Sequence, residues 1–434
     1  MSTPTEHIVQ TTIKIIDNRT NEQTNNTTEP MEILRTNENM IQIVNDESIQ
    51  PRTGLINRGN DCFINSAIQC LAVSPFIHSF IKRYHSDDVK MINIINKYNL
   101  GKLKADQMKE YIEKILEEKS EDIPIDDKRI LKQVAKHSGD IFIYICFKEL
   151  INNLHSRMYR NISCNTLISV AQELSESTGF SHLFSGEQND PHEFMAFLLD
   201  KIHNAKSSNV AIDLPKNYET LDPYFKLYLK HFRDRYQNDF SMFVKNFYYY
   251  ILNCIECSNC SNRTFDVSPN DIMCVSLPGN WRINTNIQLE ECINEMFKVE
   301  GIEYKCEKCG NNSHNRMDKK ILTKPKTLII KIKRYAQIGR MLAKINKMVH
   351  YPASFNLSQY FCGIGMEDYH LYGVINHIGA LGGGHYYSFV KDYNKECQFE
   401  NRWYVCNDSN VKEIPFDEVM SSNNAYMLFY HSNN

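Results

Sequence analysis

The segment from Gly54 to Leu71, GLINRGNDCFINSAIQCL, constrains the fold more strongly than any other part of the chain. A turn rich in Gly and Asn leads directly to Cys62, and apolar residues then recur at helical spacing as far as Leu71. This pattern predicts a short buried helix that begins at Cys62. Unpaired backbone N–H groups and the positive end of the helix dipole stabilise a thiolate there, which favours a nucleophile. Taken alone, the segment fits a buried structural cysteine equally well.

A second segment, near the end of the sequence, contains the groups that a nucleophilic thiol needs. His385 follows three glycines (Gly382–Gly384), and Asn407 and Asp408 come after the next apolar run. Cys, His and then Asn or Asp is the chain order of papain-like cysteine proteases, in which the imidazole activates the thiol and the last residue orients the imidazole. Asn407 and Asp408 are both candidates for that orienting role. Asn57, upstream of the cysteine, carries an amide that can donate to an oxyanion.

Two Cys-x-x-Cys pairs in the middle of the chain predict a metal site. Cys257/Cys260 and Cys306/Cys309 together offer four thiolates, the ligand set of a closed structural zinc site. Cys254 makes an alternative pair with Cys257, but we prefer Cys257/Cys260 because the preceding residues then alternate as a strand that enters the turn. We expect one structural zinc ion per chain and no catalytic cofactor.

The segment GEQNDPHEF predicts a capped helix start. Asp190 is a suitable N-cap, Pro191 suits the first helical position, and Glu193 completes a pattern like a capping box. Capping accounts for both carboxylates locally. Contact with a basic substrate is compatible with that capping role.

Helical periodicity dominates the first half of the chain and strand alternation the second half, so the expected fold class is α+β. Residues 1–50 are rich in Asn, Thr, Glu and Gln and contain few aromatic residues. Such a segment cannot bury enough apolar surface to offset its chain entropy, so we expect a disordered polar tail.

Together these segments resemble the landmarks of the ubiquitin-specific proteases, in that family's order. Gly54–Leu71 resembles the family's cysteine box, and Tyr369–Lys391 with Trp403–Val411 resembles its histidine box. The remaining landmarks between the boxes are Gln188–Phe194, the two Cys-x-x-Cys pairs, Pro325–Tyr335 and Lys347–Tyr360. The resemblance covers residues 54–431, and six ordered motifs are far more specific than any one of them.

The resemblance implies a papain-like cysteine protease fold with a helical thumb, a β-rich palm and a zinc-tipped fingers sheet. On this plan residues 51–434 form the catalytic domain, with a helical insert at about 76–165. A helical subdomain would carry Cys62, a β-rich subdomain would carry His385 and Asn407, and the active site would lie in the cleft between them.

The resemblance also implies a thiol-dependent deubiquitinase, a hydrolase that cleaves isopeptide or peptide bonds at the C-terminal glycine of ubiquitin. Its partners would be ubiquitin and ubiquitinated proteins, and it would act as a monomer. The implied catalytic residues are the Cys62 nucleophile, the His385 base, Asn407 or Asp408 as its orienting partner, and Asn57 at the oxyanion. The implied substrate-binding residues are Gln188, Asp190, Glu193 and Tyr386.

One departure from the family pattern bears on rate. Asp61 stands where the family mostly has Thr, and a carboxylate that points toward the sulfur would raise the pKa of Cys62. Asn189 and Pro191 are further departures, beside the candidate substrate-binding acids.

Charge and hydropathy exclude several other classes. The formal charge of −3 and the pI of about 6.6 give no sign of a nucleic-acid-binding surface, which a zinc-ribbon nucleic-acid binder would need. We find no signal-peptide pattern and no apolar run long enough to span a membrane, so we expect a soluble intracellular protein. A catalytically inactive ubiquitin-binding scaffold would need a broken triad, yet Cys62, His385 and Asn407 are all present.

Overall fold

The computed structural model describes residues 15–16, 52–103, 105–118, 120–175, 179–283, 286–312, 314–338, 341–362, 368–380, 383–393 and 399–432. The expected disordered tail at 1–50 therefore lies outside the described residues, apart from Ile15–Ile16. Those two residues form a short strand that pairs antiparallel with Ala211–Ile212.

The described helices are labelled α1 to α11 in chain order. Their bounds are Cys62–Ala72, Pro75–Arg83, His85–Lys97, Ala105–Glu118, Ile125–Ser156, Asn165–Ser175, Pro191–Lys206, Pro223–Tyr236, Met242–Phe247, Leu289–Met296 and Phe416–Met420.

The described strands are labelled β1 to β20 in the same way. Their bounds are Ile15–Ile16, Gly54–Ile56, Asn161–Ser163, Ala211–Ile212, Tyr249–Glu256, Arg263–Asn270, Ile272–Ser276, Ile287–Gln288, Glu300–Glu303, His314–Ile321, Thr327–Lys333, Tyr335–Ile338, Met341–Lys344, Val349–His350, Ser354–Asn356, Asp368–Ala380, Gly383–Tyr393, Phe399–Asn407, Asn410–Ile414 and Ala425–Ser432.

The chain divides into two compact units, which we call the helical unit and the sheet unit. The helical unit consists of Thr20–Lys206 and His385–Ile414. The sheet unit consists of Met1–Arg19, Ser207–Gly384 and Pro415–Asn434. The mixture of helices and sheets confirms the α+β class.

His385 and Asn407 lie on the paired strands β17 and β18, as the resemblance implied for a β-rich part of the chain. The boundary between the two units falls between Gly384 and His385, so both residues are grouped with Cys62 in the helical unit. The reason lies in the turn after β18, where the backbone oxygen of Asp408 accepts a hydrogen bond from the N–H of Leu55 at 2.9 Å. This bond ties the late strands to the segment that precedes Cys62.

Within the helical unit, β18 pairs antiparallel with β17 on one side and β19 on the other. Strand β2 pairs in parallel with β3, so the segment before Cys62 is held against residues 161–163. The longest helix, α5, contains a break at His137, whose backbone angles are not helical.

A buried ionic cluster holds three helices of the helical unit together. Asp88 of α3 is 2 % exposed and accepts from the Tyr144 hydroxyl at 2.6 Å and the Lys148 amine at 2.5 Å, both on α5. Its second oxygen pairs with the amine of Lys206, at the end of α7. Because an unpaired charge is costly to bury, this cluster fixes the mutual packing of α3, α5 and α7. These contacts make the region predicted as a helical insert part of the packed unit.

The sheet unit contains two main sheets. One has the strand order β6-β5-β10-β9 with antiparallel pairing throughout, and it carries the two Cys-x-x-Cys turns. In the other, β20 lies between β16 and β11, and β11 pairs in parallel with β7.

Two stretches of regular structure are interrupted. Val349–His350 and Ser354–Asn356 are separate short strands, because Pro352 between them has no N–H to donate to a ladder. Helix α3 ends at Lys97, and the chain then turns at Asn99, which has a left-handed φ of 53°.

Among the described residues, no single helix is both long and apolar enough to cross a membrane. Only α1 and α2 meet the length and composition criteria together, and they are bent by 74° relative to each other.

Candidate active site and metal centre

The turn before Cys62 is closed by the side chain of Asn57. Its Oδ1 accepts from the N–H of Gly59 at 2.9 Å and from the N–H of Asp61 at 3.2 Å. Helix α1 then begins at Cys62, and the N–H of Asn65 donates to the Asp61 oxygen at 2.9 Å. The local bonds therefore place Cys62 at the N-terminus of a buried helix, as the sequence predicted.

The thiol of Cys62 does not follow the expected acidity. The residue is 1 % exposed, and its burial raises the pKa of the thiol. A hydrogen bond from the backbone N–H of Tyr386 opposes that rise, while the charge of Asp408 adds to it. The N–H groups at the helix start also lower the pKa, but burial outweighs them. The pKa of Cys62 is therefore raised, where the helix start alone predicted a lowered one.

Asp61 faces the turn through a hydrogen bond, in which its carboxylate accepts from the N–H of Arg58 at 3.3 Å. The carboxylate that raises the pKa of Cys62 is that of Asp408. The increase in the pKa of Cys62 that we expected from Asp61 thus comes from Asp408.

The imidazole of His385 is oriented by Asn407. Its Nε2 lies 2.6 Å from Oδ1 of Asn407, across the pair of strands β17 and β18. Because an amide oxygen only accepts hydrogen bonds, Nε2 carries the hydrogen and Nδ1 is the proton acceptor of the ring. The Tyr386 N–H at the Cys62 sulfur shows that the histidine segment reaches the thiol.

Asp408 has a different position from the one expected of an orienting residue. Its Oδ2 accepts from the amide of Asn57 at 2.9 Å, and its Oδ1 accepts from the amide of Asn65 at 2.8 Å. Its φ of 51° is left-handed, which turns the chain sharply between β18 and β19. The structure therefore sets Asn407 against the imidazole, and Asp408 against the turn and helix that carry Cys62.

The amide of Asn57 is engaged on both sides. Its oxygen closes the turn, and its nitrogen donates one hydrogen to Asp408. An amide nitrogen carries two hydrogens, so one donor remains for an oxyanion.

The glycine immediately before His385 is required by a close approach. A Cβ at Gly384 would lie 2.4 Å from Nε2 of His377 and 2.4 Å from the oxygen of Ile378. Gly384 thus permits a backbone approach that a side chain would block, whereas Gly382 lies outside the described residues.

Asp190 caps α7, because its Oδ1 accepts from the N–H of His192 at 2.9 Å. Glu193 is half-exposed, and its carboxylate lies 2.8 Å from Nε2 of His182. The amide of Asn60, in the turn before Cys62, donates to the oxygen of Gly186 at 2.8 Å. This bond connects the loop before the two acids to the turn before the thiol.

The other two candidate substrate-binding residues differ in exposure. Gln188 is exposed in the same loop, whereas the Tyr386 side chain is buried. The group that Tyr386 offers to the thiol is its backbone N–H.

Four cysteine sulfurs converge in the sheet unit. The sulfurs of Cys257, Cys260, Cys306 and Cys309 all lie within 4.8 Å of one another. Cys257 is 3.7 Å from Cys309, and Cys260 is 3.7 Å from Cys306. Backbone N–H groups, chiefly those of Cys260 and Asn311, lower the pKa values of Cys257 and Cys309.

Four convergent thiols suit a metal ion that prefers tetrahedral sulfur ligands, so this cluster can hold one. Cys254 lies on β5 opposite Asp318 of β10 and is not part of the cluster. The alternative pairing of Cys254 with Cys257 is therefore wrong.

The profile of the ubiquitin carboxyl-terminal hydrolase family matches residues 53–430. The chain belongs to this family. Its curated relatives include a probable ubiquitin carboxyl-terminal hydrolase 8 of Schizosaccharomyces pombe, 27% identical over 66% of this chain and 55% of the relative. Another is the ubiquitin carboxyl-terminal hydrolase 19 of Arabidopsis thaliana, 24% identical over 94% of this chain and 50% of the relative. The chain thus spans about half the length of these two relatives.

Solved structures show the same fold. A chain of the SAGA DUB module, which contains Ubp8, Sgf11, Sus1 and Sgf73, has a TM-score of 0.60 with this hydrolase family member. The match is 20% identical and covers 88% of this chain and 69% of that one, and that module was solved with monoubiquitin. The resemblance to ubiquitin-specific proteases, first drawn from six motifs, is confirmed.

The sequence analysis missed several residues that hold the site of this family member together. Asn65 and Gln69 are polar residues on the buried helix α1, and Gln69 accepts from two guanidinium nitrogens of Arg52 at 3.3 Å each. A polar residue inside an apolar helix signals a buried hydrogen bond, so their positions could have been found.

Gly54 was seen only as part of a turn, yet a Cβ there would lie 2.7 Å from the oxygen of Ser409. The turn that carries Asp408 thus rests directly on β2. Nothing in the local sequence signals a contact with so distant a segment.

The acidity of Cys62 is testable by alkylation. Because burial raises the pKa of the thiol, the rate of iodoacetamide alkylation should rise with pH to a midpoint above that of the unfolded protein. Asp408→Asn should lower the midpoint, since it removes a neighbouring charge. The measurement is the mass-spectrometric rate for the Cys62 peptide, with urea-unfolded protein as the reference. Alkylation of Cys62 that is already rapid at acid pH would instead show a preformed imidazolium–thiolate pair.

Proposed function

We propose that the chain is a deubiquitinating cysteine protease that releases ubiquitin from protein conjugates. It hydrolyses the isopeptide or peptide bond that follows the C-terminal glycine of ubiquitin. The observation that carries this proposal is the 2.6 Å contact between His385 and Asn407, with the Tyr386 N–H on the Cys62 sulfur, in a member of this hydrolase family. Residues 51–434 would form the catalytic domain, with the helices of 76–165 as an insertion in it.

The first step is attack on the substrate carbonyl. Nδ1 of His385 takes the proton of the Cys62 thiol as the sulfur bonds to the carbonyl carbon. Burial raises the pKa of the thiol, so a base that takes the proton during attack favours the reaction. Asn407 keeps the imidazole in the tautomer and orientation that the transfer requires.

The oxyanion formed by this attack needs donors that are already in place. The backbone N–H of Cys62 at the start of α1 is one, and the second hydrogen of the Asn57 amide is the other. Removing one such donor typically costs about 3–4 kcal/mol of transition-state stabilisation. Asp408 holds the amide of Asn57 in position, so it acts on the reaction through that residue.

The remaining steps return the enzyme to its starting state. Protonated His385 gives its proton to the leaving amine as the carbon–nitrogen bond breaks, which leaves ubiquitin as a thioester on Cys62. Water then attacks the thioester while His385 accepts the proton of the water. Cleavage of the carbon–sulfur bond frees the ubiquitin carboxylate and restores the thiol.

Recognition of the substrate rests on the acids at the start of α7. The C-terminal tail of ubiquitin is basic, and Asp190 and Glu193 present carboxylates in a loop linked by Asn60 to the turn before Cys62. Exposed Gln188 and the Tyr386 backbone would add polar contacts to the extended tail. The partners of the chain would therefore be ubiquitin and ubiquitinated proteins, and it would act as a monomer.

The four clustered cysteines would hold one structural zinc ion. Zinc supplies no catalytic chemistry in a closed four-sulfur site, and its binding stabilises the fold. The cysteine turns lie at one end of the sheet β6-β5-β10-β9, so the metal would fix the tips of that sheet.

The proposed function can be tested with a ubiquitin whose C-terminus carries an electrophile. The wild-type chain should form a covalent adduct at Cys62, and Cys62→Ala should form none while still binding ubiquitin. Cys70→Ala is the matched control, because Cys70 is a fully buried cysteine on the same helix and should remain dispensable for labelling. Labelling that persists in Cys62→Ala would refute the assignment of the nucleophile.

Asn407 and Asp408 should give different signatures on substitution. Asn407→Ala should lower kcat by about a hundredfold or more, because the base loses its orientation, with little change in melting temperature for an exposed side chain. Asp408→Ala should lower both kcat and melting temperature, because two amide donors lose their acceptor. Turnover of a ubiquitin–fluorophore conjugate and thermal unfolding measure the two effects. If only Asp408→Ala loses activity, Asp408 rather than Asn407 is the residue that orients His385.

Asp190→Asn separates recognition from capping. Asn caps a helix about as well as Asp, so the melting temperature should hold. Loss of one charge-assisted hydrogen bond should lower kcat/KM by roughly tenfold to a hundredfold, and added salt should shrink the difference. Asp222→Asn is the control, since Asp222 precedes Pro223 at the start of α8 as Asp190 precedes Pro191. Unchanged kcat/KM with lowered stability would make Asp190 a cap alone.

A further inference from the structure

One buried side chain touches both halves of the four-cysteine cluster. Asn315 lies near the start of β10 and is 1 % exposed. We propose that Asn315 is a positioning residue that sets the spacing between the two cysteine pairs for a thiophilic divalent cation. The proposal rests on the proposed zinc site and is independent of the hydrolase activity.

The two ends of the Asn315 amide reach opposite sides of the cluster. Its Oδ1 accepts from the N–H of Ser258 at 3.0 Å, and Ser258 directly follows Cys257. Its Nδ2 donates to the backbone oxygen of Tyr304 at 2.6 Å, and Tyr304 lies two residues before Cys306. A single side chain thus connects the turn that carries the first pair to the segment that enters the second.

Each cysteine pair is shaped by its own turn. In the first, the N–H of Ser261 donates to the Cys257 oxygen at 2.9 Å. In the second, the N–H of Gly310 donates to the Cys306 oxygen at 2.8 Å. These local bonds shape each pair separately. Between the pairs, the exposed amide of Asn259 donates to Sγ of Cys309 at 3.6 Å, and Asn315 supplies the contacts from the buried side.

The strand pairing of the sheet stops just before the first cysteine turn. The ladder between β5 and β10 ends at Glu256 and Arg316, one residue short of Cys257. Asn315 is the next residue of β10, and its side chain continues the connection beyond the last paired residues. Its side chain therefore replaces the backbone hydrogen bond that a longer ladder would make between β10 and the first cysteine turn.

A tetrahedral site demands this control because all four sulfurs must sit at one spacing. Two of the four sulfur–sulfur distances between the pairs are 3.7 Å, and all four sulfurs lie within 4.8 Å of one another, so the pairs already face each other. Residues that orient metal ligands from behind typically contribute tenfold to a hundredfold in metal affinity. Without Asn315, part of the binding free energy of the metal would be spent on bringing the two turns together.

The test is zinc affinity of the full chain, measured by competition with a chromogenic chelator. Asn315→Ala should weaken zinc binding by about tenfold to a hundredfold. Asn376→Ala is the matched control, since Asn376 is a fully buried asparagine of the same unit that accepts from the Ser422 hydroxyl at 2.7 Å. It should lower the melting temperature and leave zinc affinity unchanged.

A second variant covers the case in which Asn315→Ala does not fold. Asn315→Asp keeps the shape and the acceptor for Ser258, but it sets an oxygen against the carbonyl of Tyr304. Its added negative charge would by itself attract the cation, so weaker zinc binding in this variant supports the positioning role. Zinc affinity at or above the wild-type value would overturn it, as would equal losses in Asn315→Asp and Asn376→Ala. A wild-type chain that binds no zinc would instead refute the metal site itself.

Discussion

The carboxylate of Asp408, held between the amides of Asn57 and Asn65, is the interaction on which the proposed active site depends. It joins the turn before the nucleophile, the helix that carries the nucleophile, and the strand turn that presents Asn407. The backbone of the same residue bonds to Leu55, so one position anchors three segments. Gly54 leaves room for this turn to rest against β2.

The same carboxylate acts against the chemistry that it organises. Its negative charge raises the pKa of Cys62, on top of the larger effect of burial. Both effects favour the protonated form of the sulfur, so the proposed mechanism relies on His385 to take the proton during attack. Asp408 thus helps to position the groups of the site but raises the pKa of the Cys62 thiol. Such a thiol is less exposed to adventitious alkylation and oxidation than a resting thiolate would be.

The sequence predicted those parts of the site that are formed by residues close together in the chain. Local patterns were sufficient for the start of the helix at Cys62, for the cap at Asp190 and for the cysteine turns, because neighbouring residues determine each of them. The role of Asp408 was not predicted, since its partner Asn65 is 343 positions away and leaves no trace in periodicity. The grouping of His385–Ile414 with the early helices was not predicted for the same reason, because it depends on contacts between remote segments. Asn315 was missed because a buried amide in an otherwise polar strand has no distinguishing pattern.

The grouping of His385–Ile414 with the early helices has a consequence for the order in which the chain is made. Cys62 leaves the ribosome long before the strands that complete its surroundings. Until position 408 has been added, the thiol has neither a base nor the anchor that holds its turn in place. A nascent chain would therefore carry Cys62 without its neighbouring imidazole and without its anchor until the segment from His385 to Asp408 has been added.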